Sequence, residues 1–143
     1  MNKTQLEFVG AALYKCEGTK LRKDKRFKNT YYYQIEFTNS DPYLMKLFLD
    51  FLRKILKIDE NKLKCELFLY QDQKMAFVEK RWKVELGLKS TNFQKTIELK
   101  TKTTLFKPNP FGTCKLRYNS KECFLKLNEI IIKRLGIDAN LIK

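Results

Sequence analysis

Glu17 closes a stretch, Leu6 to Gly18 (LEFVGAALYKCEG), that reads as a helix, and a dense basic run, TKLRKDKRFKNT, follows it. A carboxylate in the last turn of a helix opposes the helix dipole and costs stability, so its presence asks for a reason. In the run, Lys20, Arg22, Lys23, Lys25, Arg26 and Lys28 face a single acid, Asp24. Charge at that density repels itself unless something negative lies across it, and contact with phosphate is the chemistry it suits. Residues that alternate outward on predicted strands, namely Arg22, Tyr32, Gln34, Glu98 and Lys100 with Lys102 beside them, supply the donors and acceptors that read base edges in a major groove. The chain contains no histidine, and Cys16, Cys65, Cys114 and Cys123 lie far apart without a CxxC pair, so zinc is not expected. Each cysteine sits in an apolar run and is expected as a buried, reduced thiol.

The elements that must position these groups follow from periodicity. In the first helix Leu6, Val9 and Leu13 form one apolar line, and Phe8, Ala12 and Cys16 form a second line of smaller residues beside it. The Ala12 and Cys16 pair, spaced i, i+4, lets another backbone approach closely, so this helix has two faces to bury. Gly18 is suited to a left-handed cap. Tyr31 to Thr38 alternates and reads as a strand with Tyr31, Tyr33, Ile35 and Phe37 on one side and Tyr32, Gln34 and Glu36 on the other. Residues 19–38 thus form a hairpin with a long basic tip. Asp41 caps and Pro42 starts a strongly amphipathic helix carrying Leu44, Leu47, Phe48, Phe51, Leu52 and Ile55, ending near Lys57.

A strand from Lys64 to Gln71 and a helix from Gln73 to Leu86 come next, with Met75, Val78, Trp82 and Leu86 on one side; Trp82 at this spacing is read as core. Residues 93–107 alternate again, with Ile97 and Leu99 inward, and Pro108 to Gly112 turns the chain. Thr113 to Tyr118 is the next strand, and Asn119 or Ser120 caps a last helix with Phe124, Leu127, Ile130, Ile131 and Leu135, stopped by Gly136. The result is an α+β domain over residues 1–143, with helices on one face of a mixed or antiparallel sheet and a basic face free.

At 143 residues the chain suits one domain with its own core. Its 30 Lys and Arg against 16 Asp and Glu give a formal charge of +14, which points to a polyanionic partner. A lysine-rich composition that merely keeps the surface solvated is the bland alternative. No run approaches the ~18 apolar residues of a spanning helix, no signal peptide is evident, and no basic amphipathic helix accompanies the charge. The expected location is the cytoplasm or an organelle, wherever the target DNA lies, with neither secretion nor a membrane partner.

Residues 10–18, GAALYKCEG, resemble the nine-residue signature of the LAGLIDADG homing endonucleases, with Leu13, Glu17 and Gly18 in register; Gly10 stands at the first Leu, Ala12 at the Gly and Lys15 at the first acid. YQIEFTNSDPYLMKLFLDFL (33–52) and CKLRYNSKECFLKLNEI (114–130) are similar to that family's strand-then-helix segments, in the same order. The resemblance implies an αββαββα unit forming a basic saddle on DNA, with residues 63–90 as an added strand and helix. A single signature implies a homodimer joined through Phe8, Ala12 and Cys16, reading a roughly palindromic duplex and making a double-strand break. It further implies that Glu17 binds Mg2+ or another divalent cation. Asn39 or Asp41 would orient water, and Lys115 and Arg117 are the candidate basic residues. Asn39 and Asp41 also read as helix caps, and Lys115 as a surface lysine. Two other readings stand beside this one: a DNA- or RNA-binding regulator or intron maturase that kept the fold without cleaving, and an RNA-binding protein explained by charge alone.

Overall fold

Asn2 starts the first helix with a reciprocal cap: its Oδ1 accepts the Gln5 amide at 2.8 Å and Gln5 Oε1 accepts the Asn2 amide at 2.9 Å. From there a computed structural model describes residues 1–20, 22–23, 26, 31–70, 74–99 and 111–136, residues 22 and 23 by backbone alone. The order is α1 (Lys3–Glu17), β1 (Arg22–Lys23), β2 (Tyr31–Tyr32), β3 (Gln34–Asn39), α2 (Pro42–Lys54), β4 (Lys64–Tyr70), α3 (Met75–Leu86), β5 (Ile97–Leu99), β6 (Thr113–Asn119) and α4 (Lys121–Leu135). Short 3-10 turns cover Glu60–Lys62 and Ser90–Asn92. Among the described residues this is an α+β domain of four helices and a four-stranded mixed sheet, ordered β3-β6-β4-β5.

The sheet is antiparallel from β3 to β4, and β5 joins β4 in parallel. β4, the strand within residues 63–90, is hydrogen-bonded on both sides and lies inside the sheet, and β5 is an edge strand. β1 and β2 form the expected hairpin, with Arg22 opposite Tyr32. Gly18 bridges Phe37, so between the two pairings three residues of the sequence on one side oppose four on the other. The extra residue is characteristic of a bulge, and Tyr33, which belongs to neither β2 nor β3, marks the break.

Alternation sorts the sheet faces cleanly. Ile35 and Phe37, Cys65, Leu67 and Leu69, and Cys114, Leu116 and Tyr118 are buried against the helices. Cys65 and Cys114 meet there at 3.1 Å between sulfurs, and burial pushes the Cys114 thiol well above its ordinary range, with Cys65 adding to the effect. α2 buries Phe48, Phe51 and Leu52 of the predicted face together with Met45 and Leu49, which were not predicted, leaves Leu44 and Leu47 half-buried, and ends at Lys54, with Lys57 at a positive φ of 51°. α4 begins at the Ser120 cap and stops at Gly136 in the left-handed conformation, both as expected. Trp82 is core at 1% exposure, donating its indole N–H to the Phe111 carbonyl at 2.7 Å, whereas Met75 stays exposed.

α1 departs from its predicted orientation. Its buried residues are Leu6, Glu7, Gly10, Ala11 and Tyr14, while Val9 and Leu13 are only half-buried. The reason is contact geometry: Gly10 lets the Phe51 ring of α2 lie on the helix backbone, and Tyr14 stacks on Phe48 with ring centroids 5.7 Å apart. Two aromatic contacts therefore outweigh the larger aliphatic line. Gly18 is extended, with φ −78° and ψ 155°, and not left-handed; glycine is needed because a Cβ would overlap the Tyr14 ring. Gly10→Ala would gain about 1 kcal/mol of helix propensity and lose more, since overpacking a fitted contact typically costs about 1–3 kcal/mol and here the new carbon falls inside the Phe51 ring. A urea midpoint lower than that of the native chain checks this.

Candidate nucleic-acid interface

The face of the sheet that the helices leave open carries Gln34, Glu36 and Thr38 of β3, Thr113, Lys115, Arg117 and Asn119 of β6, and Lys64, Glu66, Phe68 and Tyr70 of β4. Register arranges them in rows. Glu36, Arg117 and Lys64 form one, and Thr38, Lys115 and Glu66 the next. Three cations thus stand with two acids. The centre of this face is of mixed charge with the cations in excess.

Glu36 is the largest departure. It was expected outward, and it is only 4% exposed. The end of α1 folds over it: Thr19 Oγ1 donates to Glu36 Oε2 at 3.3 Å, the Tyr14 hydroxyl donates to the Thr19 carbonyl at 2.5 Å, and the Glu36 amide donates to the Tyr14 oxygen at 3.4 Å. Arg117 Nε stands 3.3 Å from Glu36 Oε1. With its amide oriented to satisfy these neighbours, Gln34 donates to Glu36 Oε1 and accepts from Arg117 Nε at 3.3 Å. A buried carboxylate without such partners would be strongly destabilising, so this network is what permits the burial. Sequence reading missed the pairing because its partners lie in strands far apart along the chain.

Other predicted residues fall as follows. Glu17 is exposed and its carboxylate makes no hydrogen bond or ion pair among the described residues; the Gly18–Phe37 bridge sets the last turn of α1 against the outer edge of β3. Lys115 lies on the open face with its ammonium 5.3 Å from the Phe68 ring centroid. Asn39 does not join Lys115 and Arg117: it pairs in register with Cys114, so it takes the helix side, where its Oδ1 accepts the Asp41 amide at 2.8 Å. Asp41 Oδ1 in turn caps α2 by accepting from Tyr43 at 2.9 Å. Both residues do the work of a helix start.

On the hairpin, Lys20, Arg26 and Tyr32 are exposed, and Arg26 Nη2 donates to the Tyr32 hydroxyl at 3.0 Å. The side chains of Arg22 and Lys23, and all of Lys25, Lys28, Lys100 and Lys102, lie outside the described residues. β5 has the opposite phase to that predicted. Its parallel register pairs Glu98 with buried Leu69, so Glu98 takes the helix side, while Ile97 and Leu99 share the open side with Phe68 and Tyr70. At an edge strand Ile97 is 39% exposed, which a three-residue alternation cannot reveal.

Along α1, Phe8 is 43% exposed, and Ala12 and Cys16 are exposed as well. Cys16 is therefore not the buried thiol expected, Cys123 is half-buried, and only Cys65 and Cys114 are fully enclosed. Arg134 of α4 braces this side, with Nε 2.6 Å from Glu7 Oε2 and its guanidinium 5.7 Å from the Phe8 ring centroid. A groove of about 490 Å³ between α2 and α3, lined by Asp41, Tyr43, Lys46, Asp50, Arg81 and Glu85 among others, holds none of the open-face residues. Among the described residues no group of three or more His, Cys, Asp or Glu is placed to hold a metal, and no helix is long and apolar enough to cross a membrane. Comparison with protein-family models, with curated proteins and with solved structures finds no match to this chain.

Proposed function

We propose that this chain is a site-specific DNA endonuclease of the LAGLIDADG homing kind, working as a homodimer. The observation that carries the reading is α1: an exposed stripe of Phe8, Ala12 and Cys16 leads to an exposed, unpartnered Glu17 at the edge of a sheet whose outer face is polar. Two such helices packed about a two-fold axis bury the stripe and bring the Glu17 carboxylates together over a roughly palindromic duplex. A hard divalent cation such as Mg2+ takes one or two carboxylates and fills its remaining positions with water and phosphate oxygens, and Glu17 of each chain fits that demand. When bound, such an ion polarises the scissile phosphate and makes an attacking water more acidic. The residues of the chain supply the rest: Lys20 and Arg26 meet backbone phosphates, Tyr32 and Gln34 face the bases, and Lys115 and Arg117 on the open face are the two basic candidates for the leaving oxygen.

Binding without cleavage is the second reading. It is favoured by the absence of a three-ligand acidic cluster among the described residues and by the use of Asn39 as part of a helix start. Incubating the chain with magnesium and a random duplex pool, then sequencing both bound and cut molecules, decides between them. The expected result is a two-fold symmetric cut site. Binding without any cut installs the second reading, and failure to retain duplex DNA removes both. On a bound duplex, affinity should fall with salt at a log–log slope of about −0.9 per phosphate neutralised; titration in increasing potassium chloride counts those contacts.

A further inference from the structure

Arg117 is held in a way that an ordinary surface arginine is not. Its Nε faces Glu36 Oε1 at 3.3 Å and the Gln34 side-chain oxygen at 3.3 Å, and Glu36 is itself fixed from behind by Thr19. Its two terminal nitrogens donate to no described residue. The side chain is 29% exposed, on the open face of the sheet, between Glu36 and Lys64 in one cross-strand row. Anchoring an arginine by Nε removes most of its rotamer freedom and leaves its planar fork of Nη donors aimed away from the anchor. A fork of that kind matches two acceptors side by side, and in a major groove the O6 and N7 of guanine are such a pair.

We propose that Arg117 is the guanine-reading residue of this interface and that Glu36 is its positioning residue. The inference rests on the reading of the open face as a DNA-binding surface and adds to it the base that one position recognises. Lys115, one row away, lacks both the fork and an anchoring carboxylate opposite it on β3, since Thr38 stands there. Its contact is with a point charge, a phosphate. The mixed charge of the face acquires a purpose on this view: Glu36 is there to orient a cation, not to repel the duplex.

The test uses the full chain and binding alone, so it does not depend on cleavage. Sites selected from a random duplex pool are compared for the native chain, Arg117→Lys and Glu36→Gln, and affinities are measured on the selected site with each base pair replaced in turn. Arg117→Lys keeps a cation for Glu36, so it protects the fold while removing the fork. A guanine is expected at one position per half-site, preferred by the native chain about ten- to a hundredfold over other bases. Arg117→Lys erases most of that preference at that position only. Glu36→Gln, measured well below its own melting temperature, weakens the same preference severalfold at that position only, whereas a purely structural carboxylate would change affinity for every sequence alike.

If Arg117→Lys lowers affinity equally for every sequence, or if the selected sites contain no guanine that responds to it, Arg117 is a phosphate contact and the inference falls while DNA binding stands. If Glu36→Gln leaves every preference intact, the positioning role falls. If the native chain retains no duplex at all, the DNA-binding reading fails first.

Discussion

On the proposed endonuclease reading, Glu17→Gln is expected to lower strand cleavage by on the order of a thousandfold or more while leaving DNA affinity unchanged or higher. Metal-assisted stabilisation of a phosphoryl transition state is worth several kcal/mol, and each 1.36 kcal/mol, roughly, is a factor of ten in rate. Glutamine has the size of glutamate, so the exposed end of α1 keeps its shape. The charge alone disappears. In the proposed homodimer the two Glu17 carboxylates would repel each other and the phosphates nearby, so their removal should not weaken binding. Stability should move slightly upward, by about 0.3–1 kcal/mol, because an acid in the last turn opposes the helix dipole. Single-turnover cleavage of a selected duplex, beside affinity measured in calcium, separates the two effects. Equal losses in cleavage and affinity would mean that Glu17 supports the interface and not the chemistry.

The second large effect concerns the core. Trp82→Ala should destabilise the chain by about 3–5 kcal/mol, the usual range for emptying a buried aromatic site, to which loss of the bond to the Phe111 carbonyl contributes. Against a typical total of roughly 5–15 kcal/mol that is a large share of the stability. Val84 in the same helix is 73% exposed, and Val84→Ala should change stability by no more than about 0.5 kcal/mol. Urea titration of the two variants tests the contrast. Trp82 joins α3 to the segment that enters β6, so its removal is expected to loosen the strand bearing Lys115 and Arg117, and DNA binding should weaken in step with folding. A Trp82→Ala chain of native stability would show that α3 is an appendage to the fold.

Where one face of an element is polar and the other meets a flat partner, the order of residues is enough. In β4, Cys65, Leu67 and Leu69 alternate with Glu66, Phe68 and Tyr70, and the structure buries the first set; β6 and α4 behave in the same way. The caps at Asp41, Ser120 and Gly136 were equally legible, because a cap is a local bond between residues two to four apart.

The rotation of α1 was not legible. Periodicity ranks apolar residues, whereas the Gly10–Phe51 contact depends on a helix thirty-odd residues downstream presenting a flat ring at one height. The phase of β5 was hidden for a related reason: three residues carry too little pattern, and only pairing with β4 assigns a side to Glu98. The same limit governs the candidate site. Composition alone pointed to a polyanion, and the place of Glu17 at a helix end could be read directly. That Glu36 and Arg117 would be opposed, with Gln34 and Thr19 closing the network, depends on strands from the two ends of the chain meeting in register. Local order sets which groups can share a face; long-range pairing, through shape and strand register, sets which of those faces meet.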